Sequence, residues 1–469
     1  MKQSLVLLFI LSMARPLSAQ NKIYEETIGW RGKNIELHTI SGRNKQENCV
    51  FLLNFDSVRL FYLDNTATVI RQFGVRRKLG EKLLGGFIKE GKIYIFLHVD
   101  HGEPHMHGWT FDIAAGTAED YYIPFAMEHE KMAERISGGD HFLCFAVNKK
   151  AAQFVLYDFK DGKNYDSLHY QFEDGIWKKL TKSAGFSRDI DVAKFNQEGE
   201  SSVENAQTPN KLYLIRDTLY LLMNVDKGVS GIFHFDLPHR QVAYRVILHN
   251  EISYKEPPPA DYADNSYLLD GKLYFVSVTP DSLNVEVRDF ITGELLRQFS
   301  AGKEDSIPFK NTPIIQEGSS FSKNDSRELT KTRQLIRKML NGTAVIMVNR
   351  EDSGRVAVAV GSFAQMSAGG GGGGGMWMGG TATAPQVYVS SGGFYRDTWT
   401  KSARFKMLLD AGTMEHIGGD MPATINEKIE SYTEGALIPP EGENLFLNNG
   451  SFIYGYYDRN EHKIILVKF

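Results

Sequence analysis

A short hairpin signal recurs from one end of this chain to the other. An apolar strand is followed by a brief polar turn, a second apolar strand ending in Asp, and a Gly or polar turn. The Asp-terminated strand reads Phe61-Tyr62-Leu63-Asp64, Trp109-Thr110-Phe111-Asp112, Val155-Leu156-Tyr157-Asp158, Phe233-His234-Phe235-Asp236, Val285-Glu286-Val287-Arg288-Asp289 and Lys406-Met407-Leu408-Leu409-Asp410. A degenerate repeat of this kind is one supersecondary unit copied along the chain, and copies of one unit bury their apolar faces against each other. The Asp residues recur at the same place in each copy. Their spacing therefore points to turns, in which the carboxylate accepts backbone N–H groups two residues on, rather than to catalysis.

Seven copies of the partner strand can be laid out: 50–53, 92–97, 141–146, 218–223, 272–277, 344–348 and 451–456. All are rich in Leu, Ile, Val, Phe and Tyr, which suit a pleated, buried surface. Most copies carry a further strand on either side. Four strands per unit, with Asp-to-Asp distances of 48, 46 and 53 residues where units are compact, give an all-β, seven-bladed β-propeller. Six or eight blades also fit the spacing. The last copy is one strand short, and a spare strand at Lys22–Thr27 is expected to complete it and close the ring. Three stretches interrupt the period, near residues 173–209, 301–342 and 364–386. The second should hold a helix capped by Asp325 or Ser326, with Leu329, Leu335, Ile336, Met339 and Leu340 on its apolar stripe. The third carries seven consecutive Gly, 369–375, and reads as a Gly-tipped arm.

On these repeats the chain resembles the β-propeller superfamily, with kelch-like architecture. It does so without the Gly-His and Trp-Asp signatures of one common propeller class and without the paired-Gly signature of kelch. It is also similar to uncharacterised exported propellers of bacteria, a likeness that implies no activity.

Residues 1–19 read as a secretory signal: Lys2, an apolar run from Leu5 to Ala14 too short to span a bilayer, and a small residue at Ala19. No Cys follows for lipid attachment, so residues 20–469 are expected as one periplasmic or secreted domain with no transmembrane segment. Removing Lys2 and Arg15 with the leader takes the formal charge from −4 to −6. A mildly acidic chain has no electrostatic reason to bind nucleic acid. The two cysteines, Cys49 and Cys144, sit in apolar strand patterns and read as buried free thiols.

One hairpin departs from the others. Leu97 to Trp109 holds four of the 13 His. With a four-residue loop at 101–104, Asp100 would face His105, His98 would face His107, and Phe96 would face Trp109. One face would then gather His98, Asp100, His105 and His107, a donor set for a divalent metal such as zinc. Trp109 and, on the Gly-rich arm, Trp377 are candidate ligand-binding aromatics. No Gly-x-Ser-x-Gly elbow or Gly-rich phosphate loop is present. The expectation is a non-catalytic module that binds a protein or glycan. The alternatives are a metal-dependent hydrolase or lyase at the His hairpin and a structural component of a cell-envelope assembly.

Overall fold

The computed structural model describes residues 21–31, 34–43, 46–99, 105–127, 129–173, 175–178, 192–195, 203–249, 261–318, 326–351, 354–365, 400–434 and 441–469. Their strands form seven sheets of four or five strands, in the manner of a β-propeller. From the inner strand outward, the first sheet is Glu36–Ser41, Asn48–Leu53, Ser57–Leu63 and Val69–Arg76, and the second is Glu81–Lys89, Lys92–Val99, His105–Asp112 and Thr117–Pro124. The third runs from Lys131–Gly138 to Tyr165–Gln171, the fourth from Ala193–Phe195 to Gln241–Leu248, and the fifth from Ala263–Leu269 to Leu295–Gly302. In the seventh, Glu441–Asn448, Ser451–Asp458 and Lys463–Lys468 are joined by Asn21–Thr27, which pairs antiparallel with Lys463–Lys468.

The sixth sheet departs from chain order. Its inner strands Thr343–Glu351, Arg355–Gln365 and Thr400–Asp410 are followed outward by Ile314–Glu317 and Ser326–Leu329, which come earlier in sequence. The stretch 301–342 is thus built into the sheet. The helix is shorter than expected, Thr332–Asn341, and begins after Lys331 rather than at Asp325 or Ser326. Leu329 lies on a strand because Ser326–Leu329 pairs with Ile314–Glu317, so ladder hydrogen bonds override the helical spacing of its apolar residues. The stretch 173–209 contributes the short strand Ala193–Phe195, which runs parallel to Asn210–Ile215. The Gly tract and Trp377 lie outside the described residues.

Both faces of the central strands are buried, which explains their near-continuous apolar runs. Cys49, Phe51 and Leu53 pack with Ile93, Ile95 and Leu97 of the second sheet. Val50 and Leu52, on the other side of the same strand, pack with Ile453 and Ile464 of the seventh. Both cysteines are free and fully buried.

The Asp turns form as their spacing implies. Asp64 Oδ1 accepts the N–H groups of Thr66 and Thr68, Asp289 Oδ1 those of Ile291 and Thr292, and Asp410 Oδ1 those of Gly412 and Thr413. Asp158 is the exception and pairs with His141 Nδ1 at 2.9 Å. These turns have a second use. Arg71, on the outer strand of the first sheet, donates to Ile113 O at 3.0 Å and Ala114 O at 3.3 Å, just past Asp112 of the second. Arg245 of the fourth sheet donates to Phe290 O and, at 2.8 Å, to Ile291 O, just past Asp289 of the fifth. Arg297 of the fifth donates to Thr413 O at 3.2 Å, past Asp410 of the sixth. At each of these three seams an outer-strand guanidinium meets at least one turn carbonyl that no strand ladder satisfies.

Removing the fork at one seam should cost about 1–2 kcal/mol in urea unfolding, as for Arg245→Ala. Asp289→Ala relaxes the turn that presents the same carbonyls, so a double-mutant cycle of the two should show a coupling of about 0.5 kcal/mol or more. Strict additivity would break the link between turn and seam.

Candidate binding site on the first and second sheets

The His-rich hairpin forms, but not in the expected register. Leu97 lies opposite His107, Phe96 opposite Gly108 and Ile95 opposite Trp109. The pairing is shifted by one residue, so His98 and His107 leave opposite faces of the sheet and the expected cross-strand metal set is not brought together. Asp100 lies outside the described residues. Among the described residues, no group of three or more His, Cys, Asp or Glu side chains is placed to hold a metal. The neighbouring cores explain the shift. Ile93, Ile95, Leu97 and Phe111 belong to the core shared with the first sheet, whereas Phe96 and Met106 belong to that shared with the third. Phe96 stacks on Phe142 at 4.7 Å, and opposite it a Cβ on Gly108 would come within 2.3 Å of the Tyr121 ring. Two apolar faces leave no polar side to mark the register in sequence.

His107 and His105 share the face toward Tyr122. The buried His107 is held between two carboxylates, with Nδ1 2.7 Å from Glu81 Oε1 and Nε2 3.2 Å from Asp120 Oδ2. Its ring stacks on Tyr122, its partner across the next ladder, at 4.9 Å, and His105 meets Tyr122 edge-on. Trp109 is half-buried, stacks on Phe111 and lies 5.6 Å from the His107 ring. Its indole N–H is buried without a hydrogen-bond partner among the described residues. Trp109 thus lies against Phe111 and beside His107.

Glu81 also fixes the loops above it. Its second oxygen accepts the N–H of Lys78 at 2.8 Å. Arg77 donates to Glu81 O, to Asn54 O and, from its backbone, to Asp56 O, which ties the connector 77–80 to the turn 54–56. At the tips of these two loops stand Phe55, 69% exposed, and Leu79, 67% exposed, with Tyr122, 45% exposed, beside them. Lys78 Nζ lies 4.7 Å above the Tyr122 ring. Three of the large apolar residues at the surface thus share one edge, on loops held by hydrogen bonds to buried groups. Sequence reading passed over them, although a large apolar residue inside a polar turn, as in Asn54-Phe55-Asp56-Ser57, is a visible signal.

A second polar assembly joins the fourth, fifth and sixth sheets. Lys211 Nζ donates to Thr208 O at 2.6 Å and to Asn265 Oδ1, and Asn265 Nδ2 reaches Ala206 O and Ala344 O. Burial pushes the Lys211 ammonium down to about 7, with Asp264 opposing the fall, and pushes the Asp264 carboxyl up to about 6. Nearby, His249 Nε2 lies 2.8 Å from Ser230 Oγ and Nδ1 lies 3.5 Å from Glu286 Oε2. The order is that of a serine-hydrolase triad, but Ser230 is fully buried and Glu286 is held by Arg288 Nε at 2.8 Å. Phe275 stacks on the His249 ring, and all three side chains are buried.

Burial disfavours the charged form of His107, but Glu81 and then Asp120 outweigh it and raise the pKa above its ordinary value. The folded state therefore holds that proton more tightly than the unfolded chain. The stability it supplies is complete below about pH 6.5 and is lost as pH rises through the raised value. His107→Gln should cost about 1–3 kcal/mol at about pH 5.5 and progressively less above neutrality; a pH-independent cost would refute the carboxylate clamp.

No protein-family profile and no curated protein matches this sequence. Among solved structures, the WD40 domain of SCAP from fission yeast matches at 10% identity over 95% of this chain and 98% of that one, with a TM-score of 0.30. Kluyveromyces lactis Hsv2 matches at 9% identity over 93% and 98%, with a TM-score of 0.32. Cobalt-substituted Synechocystis ACO matches at 8% identity over 60% of this chain, which spans 64% of that protein's length, with a TM-score of 0.30. Scores this low leave the architecture resting on the sheet order itself.

Proposed function

We propose that this chain is an exported, non-catalytic β-propeller of seven blades that binds a protein partner through the edge formed by Phe55, Leu79 and Tyr122. The observation that carries this reading is the exposure of those three side chains on loops fixed by Arg77 and Glu81. A rigid apolar surface with a charged rim is what a protein partner can desolvate without paying for loop ordering. The Tyr122 ring is already engaged by His107 and Lys78, which favours a protein over a glycan stacked on that ring. Seven blades are supported by the seven sheets and by the strand Asn21–Thr27, which completes the seventh. Export is supported by Lys2, the apolar run to Ala14 and Ala19.

A photo-crosslinking residue placed at Phe55 in the producing cell should give one predominant protein adduct. The same residue at Ile291, which is exposed on the opposite turn, should not. No adduct at position 55, or hits on a glycan array that depend on Tyr122, would overturn the protein-binding reading.

A further inference from the structure

The sixth sheet carries a separate concentration of charge. Register fixes its sidedness. Arg327 lies opposite Gln316 and Gln316 opposite Ala403, and Lys401 is two residues before Ala403 on the same strand, so Arg327 and Lys401 share one face. The acids of these strands are on the other face. Glu328 lies opposite Ile315 and Ile315 opposite Arg404, while Glu317 is paired with Arg404 at 2.9 Å.

Helix Thr332–Asn341 packs on this sheet through Leu335, Ile336 and Met339 and touches the strands that bear Arg327 and Lys401. The helix contains three cations and no acid. Arg333 reaches Glu304 at 4.0 Å. Arg337 is exposed and Lys338 half-buried, and neither they nor Arg327 nor Lys401 has a carboxylate within ion-pair distance among the described residues. The Lys338 ammonium is lowered by burial and then by Lys401, Arg327 and Arg337, so these three cations lie close enough to disfavour its charge. Such self-repulsion is relieved by an anion.

We propose that Arg327, Arg337, Lys338 and Lys401 form a binding site for an acidic polypeptide segment. The chain as a whole has a formal charge of −4, so this corner opposes the general field of the molecule. Extended polyanions such as nucleic acid or an anionic bilayer would meet that repulsion over a wide area, whereas a short run of Asp or Glu can address four cations alone. The site lies on the hairpin side of its sheet, where Gln365 and Thr400 end their strands, and is distinct from the Phe55 edge.

The test uses the full chain and a fluorescent ten-residue Glu-rich peptide, followed by anisotropy at low salt. Binding should be saturable and screened out by about 0.5 M salt. Arg337→Glu with Lys338→Glu should weaken it about tenfold or more, and the milder Arg337→Gln with Lys338→Gln should weaken it less. Melting temperatures confirm that both variants fold. Lys149→Glu with Lys150→Glu, a like charge reversal on the third sheet, should leave binding unchanged, as should Phe55→Ser with Leu79→Ser. No binding to the wild-type chain, equal loss in the Lys149 and Lys150 variant, or tighter binding to phosphatidylserine vesicles or an oligonucleotide would overturn the proposal. Crosslinking from position 55 reads the other surface, so either reading can fail alone.

Discussion

At three seams, guanidinium groups that reach from the outer strand of one sheet to the turn carbonyls of the next tie neighbouring sheets together at the rim. The inner strands need no such help, since apolar side chains on both of their faces already interlock with the neighbouring sheets. Outer strands are more exposed and bury less apolar surface against the next sheet. Arg71, Arg245 and Arg297 each close one seam, and each finds its acceptors just beyond an Asp that has bent the chain to present them. The recurrent Asp is therefore more than a turn former. It aims backbone carbonyls across a gap where no ladder can satisfy them.

The interior solves a related problem differently. Where the fourth, fifth and sixth sheets converge, Asn265 takes a bond from Lys211 and donates to carbonyls on two neighbouring segments, one amide thus linking three sheets. A buried polar network of this kind is tolerable only when its members are paired, and it then specifies one arrangement of the sheets over others. Ser230, His249 and Glu286 form a second buried polar group between the fourth and fifth sheets.

Much of this was legible in the sequence. The hairpin repeat, the Asp turns, the buried thiols and the strand Asn21–Thr27 all follow from local pattern, because each depends on neighbours in the chain. The His-rich hairpin was misread for the opposite reason. Its register depends on which residues pack against the first sheet and which against the third, and the run from Ile93 to Leu97 is apolar on both sides. Leu329 shows the same limit, since its place on a strand is decided by a partner fifteen residues earlier, at Ile314. The Glu81–His107–Asp120 clamp unites residues from three strands, so no short motif announces it. Phe55 and Leu79 stand out in polar turns, but their exposure depends on the Arg77 and Glu81 hydrogen bonds that fix those loops.

The pairing of Asn21–Thr27 with Lys463–Lys468 sets an order of events on a ribosome. Thr27 is made well before Lys463, the residue it lies opposite. Until that partner emerges, Asn21–Thr27 has no ladder and the seventh sheet has an open edge. Any product truncated before Lys463 lacks the partner entirely. The seventh sheet is thus complete only when both segments are present, and one β-ladder reports their joint presence.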